Sequence, residues 1–388
     1  MKKITKAFFV SIIIALFLGS SLPTVISQSS DEQIQAQVGI FYYVWYDTTN
    51  PESWDGTIVD TPVLGRYDSN NSTIISQHLR WIEDLGVDFV IVSWWGTEDN
   101  FGNFTDQSAK EVFKTAQSVN TKLKFAIMVE PFSVDSDSYN YQKIYDQIYN
   151  DFVMPNASLY YVKDGNPLIC FYNDPGNIPS LCNNGDVPLD ERFNTVLVGT
   201  EPYTQWVYQD LVLHVSRDNM VSVTPRFDES RLAGRAGYKI DPRLNLRVYD
   251  QEWQKAIQLW KEGKVETILI STWNEFYERT AIEPQIDKTA INRNPYFLYT
   301  KTKNYIAQLR QAVYLSSTPP PSPSPSPSTD NAINILAPSA TAKPTTLAIS
   351  TIPEYPYALT LSVLLMIAAT ASLLLFKNKQ RKTISDNE

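Results

Sequence analysis

The chain has 388 residues, and its 33 lysines and arginines against 42 aspartates and glutamates give a formal net charge of −9. This balance gives a nucleic-acid partner no support, because phosphate backbones are bound through lysine and arginine. Two histidines and two cysteines are too few for a zinc site, a histidine-based triad or a disulfide scaffold. Cys170 and Cys182 are predicted either to form one bridge or to be free buried thiols. The composition predicts no metal and no other cofactor.

The first 28 residues have the layout of a secretory signal peptide. Lys2, Lys3 and Lys6 precede an apolar run over residues 7–18, and small residues follow at 19–21. We therefore expect residues 1–28 to contribute nothing to the folded domain.

The body of the chain, residues 36–315, alternates short apolar runs with stretches that repeat apolar residues at helical spacing. Such runs are typical of parallel strands buried on both faces. The predicted strands are residues 38–46, 87–95, 124–132, 168–173, 195–200, 221–227 and 267–272, and the predicted helices are residues 73–85, 106–119, 141–152 and 251–263. This alternation predicts a single (β/α)8 TIM barrel, with its chemistry at the C-terminal strand ends. An open doubly wound sheet is the alternative, disfavoured because no glycine-rich phosphate turn follows a strand.

Four of the predicted strands end in aromatic side chains, and three of these ends also carry carboxylates or amides. Flat aromatic faces stack on the C–H faces of sugar rings, while carboxylates and amides bind sugar hydroxyls. Any one of these aromatics is equally a candidate core residue. The candidate substrate-binding residues are Tyr43, Trp45, Tyr46, Trp94, Trp95, Glu130, Asn274 and Tyr249.

Glu275 and Glu278 follow the last predicted strand and are three residues apart. On a helical turn, residues at this spacing lie side by side, with Cβ atoms roughly 5–6 Å apart. Two nearby carboxylates push each other's pKa values apart, so that one serves as an acid while the other stays a base. The pair is the predicted catalytic centre of a sugar-cleaving enzyme.

Residues 316–353 are rich in proline, serine and threonine and are predicted to form an extended stalk. Residues 357–376 carry no charge and are long enough to cross a hydrocarbon core of about 30 Å. Residues 377–388 follow with several lysines and arginines, which tend to remain cytoplasmic. The chain is therefore predicted to be anchored in a membrane by one C-terminal helix, with the body at the cell surface.

Several motifs occur in an order that resembles glycoside hydrolase family 99 over nearly the whole body. These motifs are residues 42–46 (YYVWY), 64–69 (LGRYDS), 93–96 (SWWG), 125–132 (FAIMVEPF), 160–172 and 273–284 (WNEFYERTAIEP). The resemblance implies a (β/α)8 endo-α-1,2-mannosidase or endo-mannanase that retains anomeric configuration without a metal. It also implies that Glu275 is the base, Glu278 the general acid and Glu130 a third carboxylate near the reacting sugar.

The same resemblance implies that the substrate's own 2-hydroxyl attacks the anomeric carbon, giving a 1,2-anhydro sugar that water then opens. Glu275 would deprotonate the 2-hydroxyl while Glu278 protonates the leaving oxygen. The residues alone leave a covalent glycosyl-enzyme as an alternative, since close carboxylates also fit ordinary retention.

Two stretches depart from the family pattern. Residues 277–279 are Tyr-Glu-Arg where the family usually has His-Glu-Gly, and a Trp/His-rich stretch is reduced to Trp-Asp-Gly at residues 54–56. The late motif is also similar to WbsX-type proteins of polysaccharide assembly. The predicted activity is therefore hydrolysis of α-mannoside-containing glycans. The alternatives are a hydrolase or transferase acting on another surface polysaccharide, and a tethered protein that binds glycans without cutting them.

Overall fold

The computed structural model describes most of the predicted body. The described residues are 35–132, 140–172, 188–199, 204–206 and 213–312. The predicted signal peptide, stalk, membrane span and basic tail all lie outside these residues, as does Cys182. Across the described ranges, no helix combines the length and the apolar character that crossing a bilayer requires.

Thirteen strands and five α-helices are formed by the described residues. The strands are β1 Gln37–Tyr42, β2 Thr61–Pro62, β3 Phe89–Trp94, β4 Lys124–Val129, β5 Val162–Lys163, β6 Asn166–Tyr172, β7 Asn194–Gly199, β8 Thr204–Gln205, β9 Met220–Val223, β10 Phe227–Asp228, β11 Lys239–Ile240, β12 Thr267–Ile270 and β13 Gln285–Ile286. The helices are α1 Ser72–Leu85, α2 Asn100–Val119, α3 Tyr141–Ile148, α4 Arg247–Lys261 and α5 Phe297–Gln311.

Eight strands form a nearly closed parallel barrel in the order β8, β7, β6, β4, β3, β1, β12, β9. β1 lies between β3 and β12, with Gln37 opposite Thr267 and Gly39 opposite Phe89. At the open seam between β8 and β9, the Thr224 hydroxyl donates to the carbonyl of Trp206 at 3.5 Å. The architecture is that of a TIM barrel, in which all eight C-terminal strand ends meet at one rim.

Alternate residues of each barrel strand point to opposite faces and pack into two separate apolar layers. On β3, Phe89 and Ile91 pack inside the barrel, whereas Val90 and Val92 pack against the surrounding helices. Gly39 lies on the inner face of β1, where an added Cβ would come within 2.5 Å of the Phe89 ring. The ring of Phe89 stacks on Tyr161 at 3.8 Å between centroids. The barrel interior is therefore a packed core, and the space for chemistry lies at the rim.

The seven predicted barrel strands are all present, although most end sooner than expected. The last of them stops at Ile270 rather than at residue 272, so the carboxylate segment begins earlier than predicted. The eighth strand, β8, has two residues and was not predicted, and neither was α5. The predicted helix over residues 141–152 ends as an α-helix at Ile148 and continues as a wider turn over Tyr149–Val153.

Candidate active site

Side chains from six strand ends meet at the C-terminal rim of the barrel. They are Tyr43 after β1, Ser93 at the end of β3, Glu130 directly after β4, Tyr172 at the end of β6, Trp206 after β8 and Glu275 beyond β12. Burial of Tyr43 raises its pKa well above the usual value, and Glu130, Glu275 and Glu278 raise it further. Three carboxylates therefore surround one tyrosine.

The segment after β12 forms a tight turn and not the helix that the spacing suggests. Glu275 is 2% exposed, and its carboxylate folds back onto the main chain of its own turn. Oε1 accepts from the amide of Tyr277 at 2.9 Å and Oε2 from the amide of Glu278 at 2.6 Å. The Glu275 amide in turn donates to the Thr272 hydroxyl at 2.9 Å. These bonds fix the orientation of the Glu275 carboxylate before any substrate binds.

Burial and the nearby charge of Glu278 raise the pKa of Glu275 well above that of an ordinary glutamate. The two main-chain hydrogen bonds and Arg235 act in the opposite direction and do not reverse it. Burial and a nearby negative charge disfavour the ionised form of a carboxyl group, whereas hydrogen bonds from amides and a nearby cation favour it. Glu275 therefore holds a proton more tightly than a glutamate in water does.

Glu278 has different surroundings. Its side chain is 16% exposed, and Oε2 accepts from the indole N–H of Trp206 at 3.0 Å. The guanidinium of Arg235 lies 3.5 Å from Oε1. The two glutamates therefore present one buried and one accessible carboxyl group from the same turn.

Glu130 is the third carboxylate at this rim. It is 4% exposed and accepts from the Ser93 hydroxyl at 3.0 Å. Burial raises the pKa of Glu130 to about 8, with a smaller contribution from Glu278, while the bond from Ser93 opposes the shift. Glu130 is consequently a neutral acid over much of the neutral pH range.

Aromatic rings continue from Tyr43 along the rim. Trp45 lies 4.2 Å from Tyr43 and 5.9 Å from Trp95 between ring centroids, and both tryptophans are only partly buried. The Trp95 indole donates to the Ser93 hydroxyl at 3.1 Å. The same hydroxyl donates to Glu130, so Ser93 links the ring to the carboxylate. Partly exposed rings beside carboxylates are the arrangement expected of a sugar subsite.

Two predicted site residues do not lie at the rim. Trp94 is 1% exposed on the outer face of β3, where its indole donates to Asp106 of α2 at 3.0 Å. Tyr249 is fully buried on α4, and its hydroxyl pairs with that of Thr302 on α5 at 2.9 Å. Both residues belong to the layer between the barrel and the helices, away from the rim at which contact with substrate is predicted.

Asn274 and Tyr46 lie close to the site, but their polar groups bind protein. The Asn274 side chain accepts from the amide of Tyr43 at 2.8 Å and donates to its carbonyl at 2.9 Å. The Tyr46 hydroxyl donates to the Asn274 carbonyl at 2.7 Å and accepts from the Phe276 amide at 3.1 Å. Both residues are fully buried. Their hydrogen bonds therefore join the ends of β1 and β12, and their contact with sugar stays a prediction.

A buried chain of hydrogen bonds continues from Asn274 to α1. The side-chain nitrogen of Asn274 donates to the Tyr67 hydroxyl at 3.2 Å, and this hydroxyl donates to the Glu283 carboxylate at 2.8 Å. The other carboxylate oxygen of Glu283 lies 3.2 Å from His78 Nε2, and His78 Nδ1 lies 2.9 Å from the Tyr42 hydroxyl. We call Tyr42, His78, Glu283, Tyr67 and Asn274 the buried relay.

Charged residues hold the other side of the turn that follows β12. Arg279 adopts a left-handed conformation with φ of 60°. Its guanidinium pairs with Asp60 at 2.9 Å, Asp228 at 3.2 Å and Asp287 at 3.2 Å. Arg226 also pairs with Asp60 and Asp287, and it donates to the Arg279 carbonyl at 2.7 Å. These ion pairs hold a backbone conformation that a side chain disfavours.

Five residues of the site were not predicted as such: Ser93, Tyr172, Trp206, Glu229 and Arg235. Ser93 is in phase with Phe89 and Ile91 on the inner face of β3, which is the signal that distinguishes it from Trp94. Trp206 follows a two-residue strand, and Arg235 and Glu229 belong to a loop whose sequence has no recognisable periodicity. Among the described residues, no cluster of three or more histidine, cysteine, aspartate or glutamate side chains is arranged to hold a metal ion.

Residues 55–179, which include β3, β4 and Glu130, match the family described as Glycosyl hydrolase family 99. The chain is 23% identical to glycoprotein endo-alpha-1,2-mannosidase of Xenopus laevis, over 70% of this chain and 75% of that relative. It is 26% identical to the Mus musculus protein of the same name, over 65% and 68% of the two chains. A Mus musculus endo-alpha-1,2-mannosidase-like protein is 21% identical over 67% and 72%.

The fold is similar to that of the GH99 endo-alpha-mannosidase from Bacteroides thetaiotaomicron. In the complex of that enzyme with bis-tris-propane, the TM-score is 0.53 at 21% identity, covering 71% of this chain and 97% of the other. A second structure of the enzyme gives 0.51 at 20% identity, covering 71% and 98%. The matched segment and the relatives are similar to glycoside hydrolase family 99, and together with the barrel they indicate a glycoside hydrolase.

Proposed function

We propose that this protein is a retaining, endo-acting hydrolase of α-mannoside-containing glycans, with Glu275 and Glu278 as its acid/base pair. The observation that carries the proposal is the turn after β12, which presents a buried, oriented carboxylate and an accessible one three residues apart. The endo-α-mannosidases among its relatives support the substrate class.

In this mechanism Glu275 removes the proton of the sugar's 2-hydroxyl. The freed oxygen forms a bond to the anomeric carbon while the glycosidic bond breaks, and Glu278 gives its proton to the leaving oxygen. Glu278 then takes a proton from water, which attacks the anomeric carbon and opens the 1,2-anhydro sugar as Glu275 returns its proton. Two inversions at one carbon give net retention. Because its pKa is raised, the ionised carboxylate of Glu275 is a stronger base than that of an ordinary glutamate.

The test is turnover of mannans and N-glycans, with products identified by mass spectrometry, for the wild type and for Glu275→Gln and Glu278→Gln. We expect each variant to bind glycan with little change while its turnover falls by about 10²–10⁴, the usual contribution of general acid–base catalysis. An amide keeps the shape of the side chain but transfers no proton at neutral pH. Unchanged turnover in both variants, or products from another glycan class alone, would contradict the proposal.

We also propose that the reaction needs no metal ion. Each of the three carboxylates is occupied by a protein donor: main-chain amides at Glu275, an indole at Glu278 and a hydroxyl at Glu130. We therefore expect full activity after EDTA treatment, measured on the same glycan. Loss on chelation, with recovery on adding a divalent ion, would show that these carboxylates act as ligands.

A last part of the proposal concerns location. The apolar residues 357–376 and the basic residues after them support a C-terminal membrane anchor with the barrel outside the cell. The composition of residues 316–353 supports an extended stalk between the two. The substrate would then be a glycan at or beyond the cell surface.

A further inference from the structure

Arg235 belongs to the loop between β10 and β11 and faces the carboxylates of the site. Its guanidinium lies 3.5 Å from Glu278 and 3.6 Å from Glu229, and its side chain is 25% exposed. Burial lowers the pKa of Arg235, but Glu278, Glu229, Tyr172 and Glu275 together raise it by more. The cation is therefore directed toward the centre of the site.

The loop that carries Arg235 is tied to the turn that carries Glu278. The amide of Asp228 donates to the carbonyl of Glu278 at 2.9 Å. Glu229 closes the loop by exchanging main-chain and side-chain bonds with Tyr238, whose amide lies 3.2 Å from the Glu229 carboxylate. The distance between the Arg235 guanidinium and the Glu278 carboxylate is thus set by main-chain contacts as well as by the long arginine side chain.

We propose that Arg235 is a positioning residue for Glu278, and that Glu229 holds Arg235 in that place. The inference rests on the proposed function, in which Glu278 gives its proton to the glycosidic oxygen as the bond from that oxygen to the anomeric carbon breaks. The proton leaves a carboxylate behind, and the neighbouring guanidinium stabilises that negative charge. Without the cation, the same proton transfer produces a charge whose remaining side-chain partner among the described residues is the Trp206 indole.

The test compares two substrates that share the mannosyl part and differ in the leaving group. A mannan fragment needs a proton on its leaving oxygen, whereas a mannosyl-mannose fluoride loses fluoride without one. We expect Arg235→Gln to lower kcat on the mannan fragment by about 10–10²-fold and on the fluoride by less than about threefold. Arg235→Lys should recover part of the loss, because it keeps the charge but not the planar fork.

Arg231→Gln is the matched control, since Arg231 is an exposed arginine of the same loop and its loss changes the net charge equally. It should behave as the wild type on both substrates. Glu229→Gln should reproduce the leaving-group dependence of Arg235→Gln in weaker form. An equal loss on both substrates, or no loss on either, would overturn the inference.

A second measurement separates this inference from the proposed function. The free energies of unfolding of Arg235→Gln, Glu278→Gln and the double variant should be non-additive, because the two groups interact in the fold. Additive values would overturn the inference whatever the substrate. Non-additive values in a protein that cleaves no α-mannoside would instead refute the proposed function and leave the contact standing.

Discussion

Three glutamates at one rim differ because of what surrounds each of them. Main-chain amides orient Glu275, an indole and a guanidinium face Glu278, and a serine hydroxyl contacts Glu130. Burial is nearly complete for Glu275 and Glu130 and partial for Glu278. The same side chain thereby has three different environments within one site, and the environment decides which carboxyl group serves as acid and which as base.

Glu130 makes the stability of the protein depend on pH. Its pKa is about 8 in the fold and about 4.3 in an unfolded chain, so the folded state binds more protons between these values. Its contribution to the free energy of unfolding therefore falls as pH rises from about 4.5 to 8. Glu130→Gln removes this dependence. We expect the variant to gain on the order of 4 kcal/mol relative to the wild type across that window.

Glu252→Gln is the matched control for this urea-unfolding experiment. Burial raises the pKa of Glu252 also to about 8, but Glu252 lies on α4 outside the barrel and accepts from the Thr224 amide at 2.6 Å. Its variant should show the same pH trend in stability with normal turnover, whereas Glu130→Gln should lose turnover. A difference between Glu130→Gln and wild type that does not vary with pH would mean that Glu130 is ionised throughout.

Strand phase explains which site residues could be predicted at this scale. In a barrel strand both faces are buried, so apolar composition does not show which residues point inward. Trp94 and Ser93 are neighbours on opposite faces, and the larger aromatic was assigned to the site although the serine lies there. Glu130, Tyr43 and Trp95 follow directly from their positions at strand ends. Arg235 and Trp206 depend on loop conformations that no periodic pattern predicts.

At the scale of elements, the turn after β12 is supported from both sides. The buried relay connects it to β1 and α1, and the ion pairs of Arg279 and Arg226 connect it to β13 and to the loop after β9. In place of the expected helical turn, Glu275 caps the amides of residues 277 and 278 in a tight turn. The spacing predicted the proximity of the two glutamates, but the backbone that produces it is different.

The relay gives a prediction about turnover. Tyr67→Phe removes the hydroxyl that joins Asn274 to Glu283 and leaves a buried carboxylate with one partner fewer. We expect a loss of about 1–3 kcal/mol in the free energy of unfolding. We also expect kcat to fall roughly tenfold, because a loosened Asn274 no longer fixes Tyr43 between the carboxylates.

Tyr249→Phe is the control, since it also removes one buried tyrosine hydroxyl but far from the rim. Chemical denaturation should show both variants less stable than the wild type, while steady-state kinetics should show a lower kcat for Tyr67→Phe alone. A reduced kcat in Tyr249→Phe would show that Tyr249 contributes to the active site. Normal kcat in a destabilised Tyr67→Phe would show that the relay serves stability and not positioning.

At the scale of the whole molecule, the proposed anchor predicts where a protease will cut. A segment such as residues 316–353, whose composition cannot build a core, is a preferred site of cleavage. Intact cells treated with a protease should release an active domain, detected by mass spectrometry of its C-terminal peptide. Release that requires broken cells would place the domain inside and exclude an extracellular substrate.

The overall fold was predictable because the alternation of strands and helices continues through the whole body. Parallel strands form near-continuous apolar runs, and seven of the eight in this barrel are long enough to be recognised. β8 has two residues, too few to form a pattern. α5 begins after a loop rich in asparagine and was not separated from it. The gaps in the prediction thus lie where elements are shortest or least regular.

The pairing of β1 with β12 has a consequence for how the enzyme folds. Gln37 pairs with Thr267, and the hydrogen bond from the Tyr43 amide to the Asn274 side chain joins residues 231 positions apart. Contacts between such distant residues form slowly, because the entropy of closing a long loop must be overcome before any of them is gained. Glu275 and Glu278 reach Tyr43 only when β12 has entered the barrel. Partly folded chains therefore contain both glutamates but no site, and activity should be among the last properties to appear during refolding.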